Sequence, residues 1–269
     1  MDKLAALRER LRAEARLVIA FSGGVDSALL VAVAAGELGD AALAVTAVSA
    51  SLPASERSAA RAFALRVGAR HVEVCTDELD RPEYTVNGPD RCYHCKSALM
   101  DALEPIARLA GARIALGTNV DDLGDYRPGQ RAAGSRGAIA PLVDVGLSKA
   151  DVRGASAALG LSTARKPAAA CLSSRVAYGD PVTEGVLARI EAAEDAMRAL
   201  GFTEFRVRSH GRGTVARIEV PSSDLDTAVR LRAELDMAVK AAGFAFCAVD
   251  LAGFRSGRMN VLLGMPASR

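Results

Sequence analysis

The sequence has no tryptophan, and aromatic residues fill only 4% of its 269 positions. A core built from it must therefore be aliphatic. Half of the residues are hydrophobic, enough for a sizeable core, and the length favours one large or two modest domains. Net charge is only +2. That near balance argues against a large nucleic-acid footprint, though not against local patches. No stretch reaches the length of a membrane span. The opening MDKLAALRERLRAEA is a charged, amphipathic helical pattern without the apolar centre of a signal peptide. A cytoplasmic protein that engages neither membrane nor nucleic acid is expected.

Several familiar motifs are missing as well. There is no G-x-G-x-x-G dinucleotide fingerprint, and no lysine follows the paired glycines near the amino end, so that turn is not a Walker loop. C-x-x-C occurs once, at Cys92 and Cys95, without the second pair that a zinc ribbon needs. Five cysteines in a reducing compartment do not make a disulfide framework. No internal repeat or low-complexity tract is evident.

What is present is organised around Ser22, Gly23, Gly24, Val25, Asp26 and Ser27. The apolar run at 17–21 before them reads as a strand buried on both faces. The Ala/Leu/Val-rich stretch at 28–39 reads as a buried helix. A Gly-rich turn from strand to helix aims backbone N–H groups and a helix N-terminus at one spot, which favours phosphate. Ser22 and Ser27 add hydroxyl donors. Asp26 would be repelled by bare phosphate and is expected to hold Mg²⁺. The plainer alternative is a turn that merely joins two elements.

Strands at 43–48, 70–75 and 113–117 alternate with helices at 55–68 and 92–111, the latter interrupted by Pro105. This rhythm predicts an α/β fold with a doubly wound parallel sheet, whose ligands bind at strand carboxyl ends. Residues 77–91 read as a polar loop and 121–137 as a long functional loop. Ser148 caps a short helix to about 160. Past Pro181 the pattern changes to helix (183–201, capped by Thr183), two alternating strands (205–209 and 214–220), a long helix to 243 and a strand at 245–251, with 261–263 as a further candidate. We expect a first domain over residues 1–180 and a smaller α+β domain with an antiparallel sheet over 181–269.

Further candidates for chemistry cluster in loops. Gly117, Thr118, Asn119, Val120, Asp121 and Asp122 follow the fourth strand, where paired carboxylates suit Mg²⁺ on pyrophosphate; an Asn or Asp helix cap is the alternative. C-x-x-C in Arg91, Cys92, Tyr93, His94, Cys95, Lys96 leaves zinc, a redox pair or iron–sulfur open. Three thiolates, with Cys171 as the third, can hold three irons of a four-iron cluster. Arg91 and Lys96 favour thiolates and anions. Cys171 lies among Arg165, Lys166, Ser173, Ser174 and Arg175, a setting for a nucleophilic thiolate beside a phosphorylated substrate; an inert loop cysteine is the alternative. Arg206 and Arg208 share a strand face, with His210 next. The pair suits a phosphate, or the face is simply solvated. Glu191 and Glu194, one helical turn apart, are expected to pair with Arg198 at the surface; metal or substrate ligation is the alternative. Asp224 and Asp226 read as helix N-terminal carboxylates, and Cys75 and Cys247 as small core residues.

S-G-G-V-D-S after an apolar strand resembles the pyrophosphatase loop of N-type ATP enzymes. Together with R-C-Y-H-C-K, G-T-N-V-D-D, A-C-L-S-S-R and F-R-V-R-S-H-G, it resembles the LarE family over essentially the whole chain. The resemblance implies an ATP-dependent sulfur transferase that helps build the nickel-pincer nucleotide cofactor of lactate racemase. ATP would adenylylate a carboxylate of pyridinium-3,5-biscarboxylic acid mononucleotide and release pyrophosphate, and a sulfur nucleophile would then displace AMP. One branch of the family sacrifices the sulfur of a single cysteine, matching Cys171. Another binds a 4Fe-4S cluster through three cysteines. Cys92 and Cys95 favour the cluster branch, with Cys171 as the third ligand. The resemblance also implies a homo-oligomer, a hexamer. The rival readings are a PP-loop amidotransferase, a tRNA-thiolating enzyme and a non-catalytic nucleotide sensor. Ammonia use leaves three loop cysteines unexplained, and no RNA module is visible.

Overall fold

The computed structural model describes residues 2–124, 134, 136–167, 170–255 and 258–263. Much of the expected 121–137 loop lies outside them. The chain divides into two compact units, Met1–Glu78 with Cys92–Ala169, and Leu79–Arg91 with Ala170–Arg269. The change of rhythm near Pro181 thus lies within the second unit. The excursion of residues 79–91 into that unit leaves no mark in sequence periodicity.

The first unit opens with α1 (Lys3–Arg12), capped by the Asp2 carboxylate. Then come β1 (Leu17–Ala20), α2 (Val25–Leu38), β2 (Ala42–Val48), α3 (Ala54–Arg66) and β3 (Arg70–Cys75). Residues 77–91 are not a plain loop: a 3-10 turn (Glu78–Asp80) and the one-turn α4 (Pro82–Thr85), with proline at its first position, lie there. Helix α5 (Arg91–Ala110) runs on past Pro105 to β4 (Arg113–Leu116). Short α6 (Pro141–Asp144) and α7 (Lys149–Ala158) follow, the latter closed by a capping box between Ser148 and Asp151.

The four strands form one sheet in the order β3-β2-β1-β4, and every pairing is parallel. The chain steps outward from β1 to β3, then returns to place β4 on β1's other side. This α/β topology places a switch point between β1 and β4, the position at which open parallel sheets take their ligands. Leu17, Ile19, Phe21, Leu29 and Leu30 are buried in one apolar cluster, and Val18, Val45, Met100 and Leu103 in another on the opposite sheet face. Each such side chain contributes about 1.5–3 kcal/mol when fully buried. β3 is an outer strand, which is why Cys75 is exposed rather than in the core.

In the second unit, α8 (Glu184–Ala199), capped by Thr183, packs on β5 (Arg206–His210). Strand β6 (Val215–Glu219) pairs antiparallel with β5 but parallel with β7 (Phe246–Val249). The sheet is therefore mixed, not antiparallel. The expected long helix is broken into α9 (Leu225–Arg230) and α10 (Arg232–Ala241), preceded by a 3-10 turn. The candidate strand at 261–263 lies instead in a 3-10 turn (Arg258–Leu263). Among the described residues no helix is long and apolar enough to cross a membrane.

Candidate active site

The loop after β1 closes on itself. Ser22 N–H donates to Ser27 Oγ at 3.3 Å, the two serine hydroxyls lie 3.2 Å apart, and Ser27 Oγ donates to Gly24 O at 3.2 Å. Gly23 sits at φ +73, a left-handed conformation that a side chain would strain. Gly24 is the N-cap of α2 and has no side chain to spend on the first turn. The N–H groups there remain available to an anion.

The loop after β4 is pressed against this turn. A Cβ on Gly117 would lie 2.7 Å from Ser27 N, so only glycine fits. Thr118, half-buried, comes next. Buried Asn119 then links the two loops: its side-chain amide donates to Asp26 Oδ1 at 3.0 Å, while its Oδ1 accepts Asp121 N–H at 3.0 Å. Asp122 Oδ2 accepts the Asn119 N–H at 3.1 Å, which makes Asp122 part of the turn. The cap reading and the functional reading of this motif therefore describe the same residues. The sequence reading missed Lys149, at the start of α7. Its ammonium is paired with Asp26, and its N–H donates to Asp121 Oδ2 at 2.7 Å. Asp26 and Asp121 are thus both held around Lys149 and Asn119. Their hard oxygen atoms are the donor class that Mg²⁺ takes.

Cys92 and Cys95 lie near the start of α5, three residues apart and so on one helix face. Cys92 is exposed and Cys95 half-buried, and none of the five cysteines is in a disulfide. Burial pushes the Lys96 ammonium below its ordinary value, and the Cys95 and Cys92 thiols push it back up. Arg91, next in sequence to Cys92, has buried partners of its own. It is buried in the second unit, hydrogen-bonded to Asn87 and to Ser173 O, with its guanidinium 5.6 Å from the centre of the Tyr178 ring.

In the second unit Cys171 is exposed and precedes a 3-10 turn (Leu172–Arg175). Arg175 is buried beneath it. Its guanidinium donates to Cys171 O at 2.9 Å and pairs with Glu194 at 3.0 Å. Glu194 does pair with Arg198 at 3.6 Å, but it is 2% exposed and thus buried rather than at the surface, with Arg175 as its nearer partner. The Arg206/Arg208 face is not solvated either. Arg208 is buried against Glu219 at 2.9 Å and donates to Ser174 O at 3.1 Å. Half-buried Arg206 lies 5.0 Å from the Phe254 ring centre. Burial lowers both guanidinium pKa values; Arg175 adds to the effect at Arg206, and Glu219 opposes it at Arg208. Half-buried His210 accepts from Arg217 at 3.1 Å, and burial lowers its pKa.

Among the described residues, neither unit gathers three or more His, Cys, Asp or Glu into a group able to hold a metal ion. The thiols are the soft donor class of iron–sulfur chemistry, two in the first unit and the third, Cys171, in the second.

Residues 4–114 match the asparagine synthase family, the stretch that builds the β1 loop and its sheet. An uncharacterized protein of Synechocystis is 43% identical over 265 residues, 97% of this chain and 98% of its own length. The pyridinium-3,5-bisthiocarboxylic acid mononucleotide synthase of Lactiplantibacillus plantarum is 36% identical over 260 residues, 96% of this chain and 94% of its own. An uncharacterized protein of Methanocaldococcus jannaschii is 26% identical over 261 residues, 95% and 98% of the two chains. The glycine-tight loop and near full-length similarity agree: the chain belongs to the LarE family of the PP-loop ATP pyrophosphatase superfamily.

Proposed function

We propose that the protein is an ATP-dependent sulfur transferase that converts a carboxylate of pyridinium-3,5-biscarboxylic acid mononucleotide into a thiocarboxylate, as a step in nickel-pincer cofactor assembly. The observation that carries this reading is the joint built by Gly117, Ser27, Asn119 and Asp26, a glycine turn at a helix N-terminus with carboxylates beside it. The similarity to the L. plantarum synthase supplies the substrate class. The 22–27 loop would hold the ATP phosphates. Mg²⁺ on Asp26 and Asp121 would neutralise charge on the leaving pyrophosphate. A substrate carboxylate oxygen attacks the α-phosphorus and pyrophosphate departs. A sulfur nucleophile then attacks the acyl carbon and AMP leaves with the bridging oxygen. Arg206 and Arg208 are candidates for the substrate phosphate, and Lys96 for anions at the thiols.

For the sulfur source we propose a 4Fe-4S cluster with Cys92, Cys95 and Cys171 as ligands, which when bound would supply the sulfur. The support is the presence of three thiols where one suffices for sacrifice. A second reading rests on a specific observation: Cys171 is exposed at the head of a turn pinned by Arg175. In that reading Cys171 Sγ itself attacks the acyl carbon. Loss of the Cα proton and cleavage of the Cβ–Sγ bond then leave the thiocarboxylate and dehydroalanine. Homo-oligomerisation and a role for residues 181–269 in sulfur transfer or assembly are also proposed, on family grounds.

Protein purified without oxygen, given MgATP and the dicarboxylate mononucleotide, should release pyrophosphate and form a product heavier by the exchange of oxygen for sulfur. No pyrophosphate would overturn the reading. Stoichiometric iron and sulfide support the cluster. Iron-free protein that loses about 34 Da at Cys171, the mass of one H₂S left behind as dehydroalanine after nucleophilic transfer, supports sacrifice.

A further inference from the structure

We propose that Lys166 is a positioning residue of the nucleotide loop. The inference rests on the ATP reading above and adds a residue to it. The Lys166 ammonium donates to Gly23 O at 3.0 Å and to Glu56 Oε2 at 2.6 Å. Glu56 comes from the first turn of α3. The same helix approaches the loop at Ala60, whose Cβ lies 3.4 Å from where a Gly23 Cβ would be. The backbone that carries Lys166 is itself fixed. Arg153 of α7 donates to Ala164 O at 2.8 Å and to Lys166 O at 3.0 Å.

The consequence lies in the peptide plane. In a trans peptide the carbonyl and the following N–H point in opposite directions, and the structure contains no cis bond among the described residues. Holding the Gly23 carbonyl toward Lys166 therefore turns the Gly24 N–H the other way. It faces Ser22 Oγ, at a loose 3.4 Å, on the side of the paired Ser22 and Ser27 hydroxyls. Gly23, at φ +73 and without a side chain, has little intrinsic preference for this plane over its flipped form. A charged donor supplies that preference. Helix α7 thus steadies the loop from two points one turn apart: Lys149 on Asp26, and Arg153 behind Lys166.

The test uses full-length protein with MgATP, inorganic pyrophosphate and adenosine as separate probes, and thermal melting without them. Lys166→Met should weaken ATP and pyrophosphate binding by roughly ten- to a hundredfold, the range of one charge-assisted hydrogen bond. It should leave adenosine binding and the melting temperature nearly unchanged. Lys166→Arg keeps both donors and should recover most of the affinity. Glu56→Gln should fall between. If wild-type protein fails to bind ATP, the functional reading falls and this inference with it. If wild type binds and Lys166→Met binds ATP equally well, the inference alone is overturned. Parallel loss of adenosine and ATP with a lowered melting temperature also overturns it, since that marks a residue that only supports the fold.

Discussion

Gly117 lies so close beneath Ser27 that a methyl group added to it would sit 2.7 Å from the Ser27 nitrogen and 2.8 Å from its Cα. Both atoms belong to the backbone of the first turn of α2, so no rotamer change relieves the clash. Gly117→Ala must push the helix start away from β4 and open the phosphate turn. A cost of about 1–3 kcal/mol is expected for such overpacking. MgATP affinity should drop at least tenfold, because the N–H groups of that turn lose their common focus. Calorimetric titration and a thermal melt check both; unchanged ATP affinity would show that the contact does not matter for the nucleotide.

Asp26 is held by Lys149 and Asn119, and the expected result of neutralising it separates activity from folding. Asp26→Asn keeps the shape but removes the negative charge and one of the two oxygens that Mg²⁺ would use. Pyrophosphate release should fall by two or more orders of magnitude, on the order expected when a group acting on the leaving phosphate is lost. Stability should move by less than about 1 kcal/mol, because the Lys149 partner is partly solvated. Lys149→Met should leave the carboxylate in place and cost less activity. Pyrophosphate release surviving Asp26→Asn would remove Asp26 from any metal role.

The contrast between these two residues shows what a sequence can reveal. Residues 17–27 announce themselves, because a strand buried on both faces, a glycine turn and an apolar helix each leave a local pattern. Every parallel strand of the first sheet was legible for the same reason. Lys149 was not: it lies 123 positions from Asp26, and only the return of the chain past β4 brings it there. Glu194 looked like a surface residue because helical spacing places Arg198 beside it. Its burial comes from Arg175, nineteen residues earlier and off the helix. The break between α9 and α10 and the parallel β6–β7 pairing are likewise tertiary outcomes, with no glycine or proline at the break to signal it.

Arg175 and Glu194 form a buried ion pair under the Cys171 turn, with side chains 5% and 3% exposed. Removing one partner strands the other charge in the interior. Glu194→Leu should cost about 3–5 kcal/mol in chemical denaturation. The double variant Arg175→Met/Glu194→Leu should recover most of that, because no charge is left unpaired. Sulfur transfer should nonetheless stay impaired in the double variant, since Arg175 also holds Cys171 O. A double variant with full sulfur transfer would show that Arg175 supports the fold without positioning the cysteine.

His71, on the outer strand β3, is linked through Thr46 to Phe21, the residue before the phosphate turn. The Thr46 hydroxyl donates to Phe21 O at 2.8 Å, which leaves its oxygen to accept from His71 Nε2–H at 2.8 Å. Burial holds the imidazole pKa below 6.5; Glu73 pulls it up and Arg61 pushes it further down. The unfolded chain therefore takes up this proton first as the solution is acidified. The associated stability is fully present above about pH 6.5 and declines as pH falls through the window below it. His210, lowered by the same cause, acts in the same direction from the second unit. Glu73, held down to about 2 by Arg61 and Arg57, keeps its contribution above pH 4.5 and loses it only in stronger acid. Between pH 6.5 and 4.5 the slope thus reports the histidines. His71→Gln, which retains a donor for Thr46, should make that slope shallower in denaturation series at fixed ionic strength. An unchanged slope would mean that His71 titrates alike in the folded and unfolded chains.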